Sequence, residues 1–263
     1  MSDDGQLIIE ERDRIAFVTF NRPEKLNAWT FEMSNELREY LWGLNEGEYR
    51  IRCVVMTGSG RAFCSGADVG NLAARQGGER PPWRPPHPEA HITEALRRCN
   101  APVIAAINGY ALGMGLGIAM GCDIRIAADD ARFQVAQMKR GLTADTALAH
   151  SLPAAIGAER AMELMFTARM IEADEAERIG LVLKVVPADS LLDEAEALAR
   201  EIAKSGPLGV AAAKRTVYLR DDDAFQRAHD FLGLTMDRLF MTEDAREGIS
   251  SFAERREPEF PGR

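Results

Sequence analysis

Residues 108–123, Asn-Gly-Tyr-Ala-Leu-Gly-Met-Gly-Leu-Gly-Ile-Ala-Met-Gly-Cys-Asp, constrain the fold more than any other stretch of the chain. Five glycines fall within thirteen residues, directly after an apolar run at 102–107 that reads as a buried strand. An interior helical glycine costs about 0.5–1 kcal/mol relative to alanine, so helix stability does not select so many. Close approach to the backbone does. A strand, a tight glycine turn and a helix of small residues place bare N–H groups at a helix N-terminus, where they can meet developing negative charge. Tight packing of the same helix on a sheet also accounts for the glycines, and this stretch alone leaves both readings open.

The flanking segments supply the framework. Residues 7–10 and 15–20 read as strands around a charged turn, and 21–28 as a proline-broken, locally basic loop. Thr30 can cap a helix reaching about Leu44, with Phe31, Met33, Leu37, Leu41 and Leu44 as its apolar stripe. Strands are predicted at 51–57, 102–107, 123–127 and 181–186. Helices are predicted after residue 69 and at 89–99, 145–156, 160–166, 172–179 and 190–204. Residues 131–141 read as irregular, and everything from Pro207 to Phe252 as helical. Residues 76–88, with five prolines and Trp83, read as a surface loop that could also cover a binding site. Strands early and helices late predict an α/β core over residues 1–204 and a helical C-terminal region over 205–263.

Composition narrows the function. A net charge of −9 disfavours nucleic acid and acidic membranes as partners. No apolar run is long enough to cross a bilayer, and the polar, acidic start resembles neither a secretory nor a transit peptide, which points to a cytoplasmic protein. Cys53, Cys64, Cys99 and Cys122 lack metal-ligand spacing and sit among apolar residues, as buried free thiols do in a reducing compartment. No ligand cluster and no dinucleotide glycine pattern is visible, so neither a metal nor a redox cofactor is expected.

Two loops share one design. Each follows a buried strand and sets glycine beside small or apolar residues: Ser65-Gly66-Ala67-Asp68 and Leu112-Gly113-Met114-Gly115. Two converging N–H groups are what a thioester carbonyl needs as it becomes an enolate, each worth roughly 3–4 kcal/mol of barrier. The motif Asn-Arg-Pro-Glu-Lys-Leu-Asn-Ala at 21–28, the run 61–68, the run 102–113, Cys122-Asp123, Arg-Ala-Met-Glu-Leu at 160–164, Ile-Gly-Leu-Val at 179–182 and the tail 252–260 occur in this order over nearly the whole chain. In that pattern the sequence resembles the crotonase, or enoyl-CoA hydratase/isomerase, superfamily. The resemblance implies a spiral of ββα units with a helical C-terminal trimerisation region, a homotrimer or a hexamer built as a dimer of trimers, and an acyl-CoA substrate that brings coenzyme A with it. It implies an oxyanion hole from the amides of Ala67 and Met114. It implies a CoA and acyl site lined by Lys25, Leu26, Ala28, Ala67, Asp68, Val69, Gly70, Gly113 and Gln137. Arg256 is a weaker carry-over, toward the CoA phosphate of a neighbouring subunit.

The chain departs from a hydratase at both glutamates that handle water. Gly117 stands at the first position and Gln137 at the second. Gln137 can orient a water or carbonyl but cannot act as a carboxylate base. Asp145 matches a position where some isomerases of the superfamily carry an acidic proton shuttle, and partial desolvation there would raise its pKa toward useful values. One such base suffices for a double-bond shift. Asp145 also reads as the N-cap of the helix predicted after it. Isomerisation through Asp145 is therefore the favoured reading. Its alternatives are an atypical hydratase, a silent CoA-thioester-binding subunit, or a hydrolytic, dehalogenase-like enzyme with Asp145 as nucleophile. The last wants aromatic residues where Ala67 and Gln137 stand and a histidine at Ala90. His91 is one residue away, about 100° round on a helix, and both it and His150 read as surface or packing histidines.

Overall fold

The computed structural model describes residues 5–68, 70 and 91–263. Val69 and residues 71–90, which hold Trp83, the proline-rich stretch and the helix predicted after residue 69, lie outside them. Strand β1 (Leu7–Arg12) turns back on β2 (Ile15–Phe20) through Asp13 and Arg14, both at positive φ (52° and 66°), as a two-residue hairpin turn requires. The helix α1 (Phe31–Gly43) starts where the capping argument puts it, with Thr30 Oγ1 accepting the Met33 amide at 3.2 Å.

The chain then alternates between two sheets. β3 (Cys53–Gly58), β5 (Val103–Ile107), β7 (Ile124–Ala128) and β10 (Lys184–Val186) extend the first into six strands, ordered β1-β2-β3-β5-β7-β10 and parallel from β2 onward. β4 (Ala62–Cys64), β6 (Tyr110–Leu112), β8 (Arg132–Gln134) and β9 (Ile171–Glu172) form the second. From β3 to β8 each strand of the large sheet is followed by one of the small sheet, so β3–β4, β5–β6 and β7–β8 stack as turns of a spiral. The helix α2 (Ile92–Arg98) precedes the second turn and α3 (Met114–Gly121) closes it.

The apolar runs follow from burial on both faces. Val54, Met56, Val103, Ala105 and Ile107 face the main core, which includes Phe20, Phe63 and Phe133. Cys53, Val55, Ile104 and Ala106 face the other way, against Leu191, Ala195 and Ala199 of helix α7 (Leu191–Lys204). All four cysteines are buried and free.

Helices α4 (Leu148–Ile156), α5 (Ala158–Thr167) and α6 (Ala173–Arg178) follow β8, and α8 (Pro207–Leu219), α9 (Asp222–Leu239) and α10 (Glu243–Glu254) form the C-terminal region. The sequence misplaces three boundaries. Residues 131–141, expected to be irregular, contain β8 and a 3-10 turn over Ala136–Arg140. The strand expected at 181–186 shrinks to its last three residues, because the Leu181 and Val182 amides turn back to the Ala176 carbonyl. The helix expected from residue 145 begins three residues later.

Candidate active site

The loop after β4 and the loop after β6 are brought together by sheet pairing. Ala62 and Cys64 pair with Tyr110 and Ala111. Two glycines allow the closeness: a Cβ on Gly115 would lie 2.1 Å from the Cys64 carbonyl oxygen, and one on Gly66 (φ +114°) 3.3 Å from that of Leu112. The first turn of α3 thus sits on the end of β4, and Gly66 lies against Leu112. Met114 is the first residue of α3, so its amide has no helical acceptor. Among the described residues neither the Ala67 nor the Met114 amide donates to a main-chain carbonyl, while their neighbours do: Gly113 to Gln134 O (2.9 Å) and Asp68 to Trp29 O (2.9 Å).

The 21–28 loop is laced onto the same place. Ser65 donates to Leu26 O (3.0 Å), Trp29 to Gly66 O (2.8 Å), and Trp29 bridges to Ala67. Buried Asn27, at φ +54°, holds the turn by donating its side-chain amide to the carbonyls of Ser59 and Ala62. Leu26 and Ala28 are half-buried beside Ala67, and Lys25 stands exposed at the rim. Asp68 is held by other groups: its carboxylate takes the Arg22 guanidinium at 3.0 Å and the Gly70 amide at 2.9 Å, while Arg22 also donates to Ala28 O. That pair ties the two loops together. Val69 lies outside the described residues, and Gly70 is exposed. Cys64, the nearest thiol, is pushed up to about 12 by burial, so it is no thiolate at neutral pH.

Asp145 and Gln137 form the polar side of the site. Gln137, buried on the 3-10 turn, donates its side-chain N–H to Asp145 Oδ1 at 2.8 Å. Its side-chain oxygen is buried, with no hydrogen-bond partner among the described residues, and lies close to Gly113, 3.7 Å from the place a Cβ there would take. The N-cap expectation for Asp145 fails. The cap position is Ala147, with no side-chain cap hydrogen bond, and the Asp145 carbonyl accepts the Leu148 amide at 3.0 Å. Between them Thr146 and Ala147 take φ +52° and +66°. A β-branched residue in that region is a strained outlier, of the kind that gathers at functional sites.

Thr146 also explains Gly117. A Cβ at 117 would lie 2.7 Å from both the carbonyl oxygen and the Cβ of Thr146. The space into which a side chain at 117 would project is filled by the turn that carries Asp145. The sequence does not announce this contact, because it joins residues 29 positions apart.

Helix α10 locks the 3-10 turn. A Cβ on Gly248 would lie 2.4 Å from Arg140 C, and one on Gly141 2.5 Å from Asp244 C. Leu142, Met236, Phe240, Ala245 and Ile249 seal this contact. Arg256, just past the end of α10, is engaged by Glu247 and Glu254 of that helix. A separate cavity of about 540 Å³ lies between α8 and the C-terminal end of α3, lined by Asp123, Lys214 and Tyr218 among others, and includes none of Ala67, Met114 or Asp145. Among the described residues no three His, Cys, Asp or Glu side chains converge as a metal site, and no helix is long and apolar enough to cross a membrane.

The two stacked strand–turn layers, with the Ala67 and Met114 loops meeting at the foot of α3, define an α/β spiral. The sequence matches the enoyl-CoA hydratase/isomerase family over residues 10–263. The chain is 40% identical to a probable enoyl-CoA hydratase of Mycobacterium bovis, over 97% of this chain and 92% of that one. It superposes on an enoyl-CoA hydratase/isomerase from Pseudoalteromonas atlantica with a TM-score of 0.88, at 29% identity, covering 97% of this chain and all of the other. It superposes on a monofunctional enoyl-CoA isomerase from M. smegmatis with a TM-score of 0.68, at 38% identity, covering 82% and 93% of the two chains. The chain belongs to the enoyl-CoA hydratase/isomerase family: it has the crotonase fold with a C-terminal helical region, and it is an enzyme of the type that acts on acyl-CoA.

Proposed function

We propose that this enzyme moves a carbon–carbon double bond along an enoyl-CoA, with Asp145 carrying the proton. The single observation that supports this reading is that the turn holding Asp145 fills the space a first hydratase glutamate would use, and Asp145 itself bonds to the residue standing at the second. One carboxylate replaces two. The amides of Ala67 and Met114 bind the thioester oxygen and make the C2 proton of a 3-enoyl-CoA acidic. The Asp145 carboxylate takes that proton, leaving a dienolate. It then returns the proton to C4, giving the 2-enoyl-CoA and restoring the carboxylate. Gln137 holds Asp145 in place through its N–H. Lys25, Leu26, Ala28, Gly70 and Gly113 border the CoA and acyl path, and Asp68 holds that border through Arg22. The cycle needs no cofactor beyond the coenzyme A of its substrate. The exposed apolar residues of α8 and α9, Leu208, Val217, Phe231 and Leu234, supply the surface for assembly into a trimer or a dimer of trimers.

The test is turnover of 3-enoyl-CoA and 2-enoyl-CoA in deuterated water. Asp145→Asn should lose at least about a hundredfold in isomerisation, the usual range for a general acid–base, while keeping its thermal midpoint. Undiminished isomerisation by that variant refutes the mechanism. Hydration has one observation in its favour, the buried oxygen of Gln137, which has no partner among the described residues and has room in its bonding for a water beside Asp145. Formation of 3-hydroxyacyl-CoA faster than isomerisation, abolished by Gln137→Leu, would select that reading instead.

A further inference from the structure

A second concave site lies outside the one that holds Ala67, Met114 and Asp145. The cavity of about 540 Å³ between α8 and the C-terminal end of α3 has the size of a small-molecule pocket. Its walls are largely apolar: Met120 of α3, Ala154 and Ala155 of α4, and Val210, Ala213 and Val217 of α8. Fixed charges line it as well. Arg97, Arg125, Lys214 and Arg220 stand against Asp123 and Asp221, an excess of two positive charges in a chain whose net charge is −9.

Both carboxylates are already engaged. Asp123 faces Lys214 Nζ at 2.8 Å and accepts the Tyr218 hydroxyl at 2.7 Å. Asp221 accepts from Arg97 at 3.0 Å and lies 3.1 Å from His150 Nε2. Arg125 is left over. Its Nε donates to Leu181 O at 2.7 Å and its Nη1 to Cys122 O at 3.0 Å. Among the described residues its Nη2 has no hydrogen-bond partner, and no carboxylate pairs with the guanidinium. Two carbonyls fix the group in place without neutralising it. Burial pushes its pKa below the ordinary guanidinium value, so the charge is held there at a cost. The Cys122 carbonyl ends α3, a usual place for an arginine, but that role leaves Nη2 unused. Arg97, buried at the same cavity, also has an Nε with no partner among the described residues.

We propose that this cavity is a second ligand site, for a small organic carboxylate with an apolar chain or ring, the carboxylate taking Arg125 and the apolar body lying between α4 and α8. The unused Nη2 and the local excess of positive charge select the anion, and the apolar walls take the rest of the ligand out of water. Binding is reversible, and no bond is made or broken. The site stands whichever reaction Asp145 carries out.

Octanoate is the probe, titrated into the intact protein by calorimetry beside octanol, which has the chain without the charge. Octanoate should bind at one site per chain, at least about tenfold tighter than octanol. Arg125→Met should remove that preference. Ala213→Phe, which fills the cavity from an exposed position on α8, should weaken octanoate at least about tenfold with the thermal midpoint kept. Asp145→Asn should bind octanoate as the wild type does. Equal binding of octanoate and octanol overturns the proposal, as does undiminished binding by Ala213→Phe. So does a wild type that takes no octanoate, the result expected where a second copy of the chain fills the cavity. Loss of binding in Asp145→Asn would put octanoate in the active site and overturn it too. Should Arg125→Met fail to fold, Ala213→Phe and the comparison with octanol decide.

Discussion

Gly117→Ala sets two known effects against each other. Alanine is the better helix former by about 0.5–1 kcal/mol, so a glycine kept only by chance would give way to a more stable protein. The structure says otherwise. The added methyl would sit 2.7 Å from the Thr146 carbonyl oxygen and Cβ, and 2.9 Å from its Cγ2. Ordinary contact begins about 0.7 Å further out, and the Thr146 backbone cannot swing aside as a flexible side chain would. Overpacking of this kind costs about 1–3 kcal/mol. The net is a loss of about 1–2 kcal/mol, or roughly 2–8 °C in thermal midpoint for a chain of this size. Calorimetry measures it. Activity adds a second readout, because the methyl pushes on the turn that carries Asp145. A misplacement near 1 Å can cost about a hundredfold in rate, so kcat should fall by tenfold or more with KM little changed. A variant as stable as the wild type, with unchanged kcat, would refute the claim that Thr146 occupies the space beside residue 117.

Gly248→Ala should be still less tolerated, since its Cβ would stand 2.4 Å from the Arg140 backbone. About 3 kcal/mol of stability should be lost by urea titration, and isomerisation should fall with it as the Gln137 turn shifts. Lys214→Met removes the cation from a buried pair: its Nζ faces Asp123 at 2.8 Å and donates to the carbonyls of Leu96 and Ala101. Asp123 keeps the Tyr218 hydroxyl and the Val103 amide but loses its counter-charge. The expected cost is about 3 kcal/mol by urea titration, with much of it recovered in Lys214→Met/Asp123→Asn.

The sequence made the frame readable because the frame is local. The burial of β3 and β5 on both faces is written as runs of apolar residues, the start of α1 as Thr30, and the approach of α3 to β4 as glycines. The site is less local. The sequence offers Asp145 as a helix cap beside its reading as a proton carrier, because aspartate often caps, and nothing within five residues of it announces a left-handed Thr146. The reason lies at Gly117, whose missing side chain lets that turn come in.

These facts bear on how a family of one fold changes its chemistry. The space a side chain at 117 would need is filled by the Thr146 turn, and the same turn carries Asp145 to Gln137. Glutamate is then hard to place: at 117 alone it would collide with Thr146, and at 137 alone it would set a second carboxylate against Asp145. Gly117→Glu combined with Gln137→Glu should therefore gain no hydration of 2-enoyl-CoA and should lose stability. Measurable hydration from that double variant would mean the turn before α4 yields more readily than its packing against α3 indicates.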